Sequence, residues 1–227
     1  MSLDAVDAVN WSAIPNPTAH PSDDPERVAD ALRRLAVSTT ANETGDAASL
    51  LAGGGFVCSH AGMVFPAAYP ATPVLLDLVE HGRRSRIKAA ALGLLFDALC
   101  SLPPVGHNRV DTPHGADVPL CCAIARCIRG RHAVLRAHGR FGRQLLAEAA
   151  LHWQLTIEET ELQPDGTLTA IEAELHVPPF VQRAATVCVE ALTADSSGAA
   201  CIQLRQTPIR ITPGSTLYAA ECGRREH

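Results

Sequence analysis

Apolar side chains recur every three to four residues through the first two thirds of the chain, and at every second residue in much of the last third. In "DDPERVADALRRLAV", Val28, Leu32 and Leu35 fall on one helical stripe, Asp24 is placed to cap and Pro25 to take the first helical position. "GDAASLLA" predicts a second, short helix that stops against Gly53, Gly54 and Gly55, which read as a flexible break. Thr72 and Pro73 repeat the start signal before "VLLDLVEHG", which closes on Gly82 as a left-handed cap with His81 at the negative end of the helix dipole. "SRIKAAALGLLFDALC" sets Ile87, Ala91, Leu94 or Leu95, and Leu99 on one side, so the two segments should pack as an antiparallel hairpin. "SLPPVGHNRVDTPHG" reads as a long loop. Asp117 and Pro119 give a third start signal before "VPLCCAIARCIRG", and "FGRQLLAEAALHW" carries Leu145, Leu146, Ala149 and Trp153 on a common side.

The helix-opening prolines Pro25, Pro73 and Pro119 lie 48 and 46 residues apart, close to the roughly 40 to 47 residue period of HEAT or armadillo helix pairs. Such pairs bury their apolar faces only by stacking, which predicts a short curved solenoid. Beyond Trp153 the texture changes. "WQLTIEETEL" alternates at Trp153, Leu155 and Ile157, and "TVCVEAL", "AACIQLR" and "IRITPGSTLYAA" alternate around turn signals. From 168 to 192, Leu168, Ile171, Leu175, Val181, Ala185, Cys188 and Leu192 also fit a helical period, so strand and helix both stay open there. The expected fold is mainly α, with a HEAT-like α-α superhelix over residues 1–152 and a small antiparallel β-rich region over 153–227.

Charge and composition narrow the function classes. A net charge of -5 removes the basic excess on which phosphate binding depends, so nucleic acid is not an expected partner. The arginine runs at 83–88 and 126–143 read as solvated helix faces. No apolar run spans a bilayer and "MSLDAVDAVNW" is acidic where a signal peptide would be basic, which together predict a cytoplasmic protein without a membrane partner. The eight cysteines sit inside apolar segments and read as reduced core residues.

Candidate chemistry is sparse. Cys58 and His60 are the nearest nucleophile and base in sequence, two residues apart, but no third member is marked, and His60 is expected to anchor its loop through backbone hydrogen bonds. His152 beside Trp153 suggests a lined pocket, against the alternative of an aromatic closing a helical core. His60, His152 and Trp153 are therefore the candidate binding residues, and His60, Cys58 and His152 the weak catalytic ones. Cys121, Cys122 and Cys127 of "CCAIARC" lack the C-x2-C spacing of a zinc knuckle, so neither a metal nor another cofactor is expected. Gly53 to Gly55 lack the tail of a phosphate loop. Glu158, Glu159 and Glu161 read as a solvated sheet face.

One block carries a family resemblance. Trp11, the acidic pair Asp23 and Asp24, and "SHAGMVFPAAYPATPVLLDLV" resemble a group of actinobacterial HEAT-like helical-repeat proteins with the pattern "HQGTVYPAT-APAVPFLLELL". The match runs through His60, Gly62, Val64, Pro66, Ala67, Pro73, Leu75 and Leu76, from Trp11 to about Leu99. It departs at Ala61, Met63 and Phe65, each apolar where the pattern has a hydrogen-bonding side chain. The resemblance implies a helical-repeat fold and no established reaction. Stacked helix pairs offer an extended concave surface, so the expected role is a non-catalytic scaffold or adaptor for a protein or peptide, immunity-type by analogy, with self-association as a further expectation. The alternative is an enzyme or small-molecule binder with a pocket between the helical domain and the C-terminal region. A HEAT-like DNA glycosylase is a third class, opposed by the charge.

Overall fold

The computed structural model describes residues 4–152, 154–162, 168–176, 189–194, 200–204, 216–218 and 222. Among them the chain is mainly helical as far as Ala149 and stranded from Gln154 onward. A short α1 (Asp4–Asp7) precedes Trp11, which is buried and donates its indole N–H to the Val6 carbonyl at 2.8 Å. In α2 (Pro25–Val37) the Asp24 carboxylate accepts from the Glu26 amide at 2.9 Å, and Val28, Leu32 and Leu35 are buried as their spacing predicts.

The second helix, α3 (Ala41–Ala52), starts four residues before "GDAASLLA". Its start is a reciprocal cap: the Glu43 amide donates to Thr40 Oγ1 at 3.1 Å and the Thr40 amide to Glu43 Oε2 at 3.1 Å. Hydrogen bonds from Thr39, and then Thr40, hold the Glu43 carboxyl below its ordinary range. A lowered carboxylate contributes stability above its unfolded value and loses it as pH falls through the folded one, so this cap weakens in acid.

Gly53 to Gly55 form a tight crossing, not a flexible break. Gly54 has φ 150°, and a Cβ built there would lie 2.2 Å from Asp23 Oδ1 and 2.8 Å from the Ser22 carbonyl. The acidic pair and the glycines are thus two halves of one contact. The chain then makes an antiparallel hairpin of β1 (Val57–Cys58) and β2 (Met63–Val64) with Val57 opposite Val64, and Leu102 bonds across it, its amide donating to the Gly62 carbonyl at 2.8 Å.

The hairpin of α4 (Ala68–His81) and α5 (Ser85–Cys100) forms as the apolar stripe predicts, with Ile87, Ala91, Leu94, Leu95 and Leu99 buried. Three start and stop signals read differently in the structure. Pro73 lies inside α4, forgoing a bond to the Tyr69 carbonyl, because the helix already begins at Ala68. Pro119 ends a strand and directly precedes α6, and Asp117 in that strand has φ 57°. Of the three evenly spaced prolines, Pro25 starts α2 and Pro119 immediately precedes α6, whereas Pro73 lies within α4. Gly82 has φ -54°, so it is no left-handed cap; a Cβ there would meet the Leu78 carbonyl at 2.3 Å, which explains the glycine by close approach.

The expected loop before α6 contains a strand: β3 (Arg109–Thr112) pairs antiparallel with β4 (Gly115–Pro119). Next come α6 (Leu120–Gly130), α7 (His132–Ala137) and α8 (Gly139–Ala149). Leu120, Ile124, Ala125, Ile128, Leu135, Leu145 and Ala149 join the main core with Leu32, Leu51, Leu75 and Leu95. Among the described residues no helix is long and apolar enough to cross a membrane.

Beyond the helices, β5 (Gln154–Leu162) pairs antiparallel with β6 (Leu168–His176) on one side and β9 (Thr216–Tyr218) on the other, and β7 (Val189–Ala194) pairs with β8 (Ala200–Leu204). Residues 168–176 are thus strand, the alternation having prevailed over the competing helical period. Gln154 stands opposite Tyr218. That pairing returns the C-terminal segment to the point where the chain leaves α8.

Candidate metal centre

Three segments remote in sequence converge beside the N-terminus of α6. Cys121 and Cys122 lie in its first turn, His152 follows α8, and Cys222 lies beyond β9. The sulfurs of the three cysteines and a ring nitrogen of His152 all lie within 4.8 Å of one another. His152 Nδ1 is 3.2 Å from Cys222 Sγ. The group is largely shielded: Cys122 is 3% exposed, His152 8% and Cys222 9%, while Cys121 is half-buried.

Each member has a local reason for its position. The strand β4 runs straight into α6, so the first helical turn projects beside the β3–β4 hairpin, where Val118, Cys122, Ala123 and Cys222 form a small apolar cluster flanked by Tyr69, Val110, Cys121 and Tyr218. Arg129, two turns further along α6, donates from Nη1 to the Ala149 carbonyl and to the His152 carbonyl, both at 2.7 Å. It closes the C-terminal end of α8 and holds the backbone of His152. Burial pulls the Arg129 guanidinium below its ordinary range, with Cys122 opposing that shift. A partly buried cation beside thiols is a fixed countercharge for thiolate.

Hydrogen bonds from Cys122, then Cys222, hold the Cys121 thiol well below its ordinary range, with His152 adding to the effect. Hydrogen bonds with Cys121, then Cys222, together with burial, push the Cys122 thiol well above its ordinary range. The open end of α6 favours negative charge at the same place.

The residues singled out in the sequence separate here. His152 joins the cluster, whereas Cys58 and His60 belong to the β1–β2 hairpin, Cys58 half-buried opposite Met63 and His60 exposed at its tip. Among the described residues no hydrogen bond joins Cys58 to His60 or anchors the loop through the His60 ring. His60→Ala is therefore expected to change the unfolding free energy from chemical denaturation by no more than about 0.5 kcal/mol. Trp153 lies outside the described residues. Cys127, the third cysteine of "CCAIARC", is packed against the main helical core and not in the cluster. The candidate donor set is hidden from spacing arguments because Cys121 and Cys122 are adjacent, and because His152 and Cys222 stand 70 positions apart.

No protein family matches the chain, and no curated protein or solved structure matches it.

Proposed function

We propose that the chain is a non-catalytic, metal-binding protein in which Cys121, Cys122, His152 and Cys222 hold one thiophilic divalent cation, zinc in ordinary surroundings. The observation that carries this reading is the mutual approach of four donors of the right kind, within 4.8 Å. Sulfur and imidazole donors select zinc over the hard cations, and four of them complete a tetrahedral shell. A catalytic zinc keeps a position for water or substrate. A shell of three thiolates and an imidazole leaves none, which favours a structural role. With three thiolates the centre carries one net negative charge, and Arg129 stands ready to offset it.

Such a centre ties the helical layer to the C-terminal segment. The helical layer, stacked in a HEAT-like manner as the resemblance implies, then offers its surface to a protein or peptide partner.

Metal analysis of chain purified without chelator tests the proposal. About one zinc per chain is expected, falling to near zero in Cys122→Ser. The 3.2 Å approach of His152 to Cys222 also supports a second reading, a nucleophile and base pair. Fast, selective alkylation of Cys222 in chain that binds no zinc would favour that reading and overturn the metal-centre proposal.

A further inference from the structure

We propose that the corner formed by α7 and α8 is a docking surface for an acidic polypeptide segment, in which Arg136, Arg140 and Arg143 meet carboxylates and the exposed Phe141 meets an apolar side chain. This rests on the partner-binding reading above and is independent of the metal centre.

Charge is sharply divided along the chain. Two stretches, 81–96 and 118–147, hold ten of the 19 lysines and arginines and none of the 24 acids. The remainder carries nine cations against those 24 acids, a formal charge of -15 beside +10. The fold brings the two basic stretches together. Arg131 Nη1 pairs with Glu80 Oε2 at 3.0 Å and Lys88 Nζ donates to the Glu80 carbonyl at 2.8 Å, so the start of α7 stands beside the start of α5. From there α7 runs for six residues, about 9 Å at 1.5 Å per residue, before the chain turns into α8 at Gly139. Leu135, Gly142 and Leu145 face inward, which leaves Arg136, Arg140, Phe141 and Arg143 exposed on the outer side of the corner.

Arginines on a solvated helix face are ordinary. Two features set these apart. Arg136, Arg140 and Arg143 have no ion-pair partner among the described residues, whereas Arg33, Arg109 and Arg131 each have one. Arg140 also stands in the first turn of α8, which holds no acid, so the helix dipole opposes its charge. Incoming carboxylates relieve that opposition together with the mutual repulsion of the guanidinium groups. The second feature is Phe141, which at 73% is more exposed than any other large hydrophobic residue described. A phenyl ring in water beside guanidinium groups gains by burial against a partner, and aromatic and arginine side chains are where interface energies concentrate.

The mixture selects the occupant. A long polyanion such as duplex DNA uses the guanidinium groups but leaves the ring in water, and its length carries it against the acidic remainder. A membrane surface is met by an apolar helix face, and no second large hydrophobic residue of α8 is exposed. A short polypeptide with carboxylates around an apolar residue meets both features, and arginine pairs carboxylates at two points.

Fluorescence anisotropy of a labelled random copolymer of glutamate and tyrosine, titrated at low salt with the full chain, tests this. Wild type should bind it, and Arg140→Glu combined with Arg143→Glu should weaken binding by about 10-fold or more. Phe141→Ala should weaken it by about 5-fold and leave binding of poly-glutamate unchanged. Arg27→Glu, a charge reversal at an exposed residue of α2, should bind as wild type does. All these side chains are exposed, so helical circular dichroism should match wild type in every variant. Equal binding of the copolymer by the double variant overturns the docking surface and leaves the partner reading standing. Tighter binding to phosphatidylglycerol vesicles or to a thymidine oligonucleotide overturns the acidic polypeptide as occupant, as does self-association that the double variant abolishes. Binding of a lysine–tyrosine copolymer alone overturns the acidic occupant only, whereas wild type that binds neither copolymer overturns the partner reading itself.

Discussion

Gly54→Ala should destabilise the chain by about 3 kcal/mol, a loss out of scale for the addition of one methyl group. Two costs coincide there. The residue has φ 150°, a conformation L side chains rarely adopt, and the new Cβ would stand 2.2 Å from Asp23 Oδ1 and 2.8 Å from the Ser22 carbonyl. The side chain of Asp23 cannot simply swing clear. It accepts from Thr18 and Ser22 and is only 8% exposed, so moving it leaves a buried carboxylate short of donors. Gly45→Ala is the matched control, because its Cβ meets nothing within 4 Å and it lies inside α3. Helix propensity there predicts a gain of about 1 kcal/mol. Urea denaturation of the two variants checks both signs, and a Gly54→Ala midpoint equal to wild type would show that the crossing is loose.

The same position shows where reading the sequence succeeds and where it fails. Glycines at 53 to 55 announce a departure from helix, and α3 does end there. That the departure is a tight crossing depends on Asp23, thirty residues away, which no local pattern encodes. Helices α2, α5 and α8 were legible because each buries one stripe, and stripes are periodic, whereas α4 was legible as a run apolar nearly all round. Their termini were less so. Thr40 and Glu43 extend α3 by a reciprocal cap that the apolar pattern does not register, and Pro73, which looks like a start, is carried within α4. Of the evenly spaced prolines, Pro25 and Pro119 stand at helix starts and Pro73 does not.

The candidate centre was the least legible part, for a definite reason. Metal-ligand spacing rules work when one turn or hairpin supplies a ligand pair, so that chain geometry fixes their separation. Here the adjacent cysteines sit on one helix turn, and the remaining donors arrive through tertiary packing, His152 by the Arg129 clamp and Cys222 by the pairing of Tyr218 with Gln154. His152 stood out in the sequence through its neighbour Trp153, yet what qualifies it is its approach to Cys222. His60 stood out through Cys58, and the hairpin carries it to an exposed tip.

Zinc should raise the stability of the stripped wild-type chain by about 4 kcal/mol when free zinc is a thousand times its Kd, because the ion binds the folded centre and not the dispersed ligands. For a chain of this size that corresponds to roughly 10 °C in Tm. Cross-linking residues a hundred positions apart, as Cys122 and Cys222 are, also removes loop entropy from the unfolded chain, so the increment should be largest when both ligands are present. Cys122→Ser should abolish it. A serine in that apolar cluster also lowers the stability of the stripped protein, since a buried hydroxyl replaces a thiol, so the informative quantity is the increment zinc adds and not the absolute midpoint. Cys127→Ala should keep the full increment, as Cys127 packs against the helical core away from the donors. Thermal unfolding followed by helical circular dichroism, with and without zinc, measures all three. An increment that survives Cys122→Ser, or vanishes in Cys127→Ala, would mean that zinc acts at some other place on the chain.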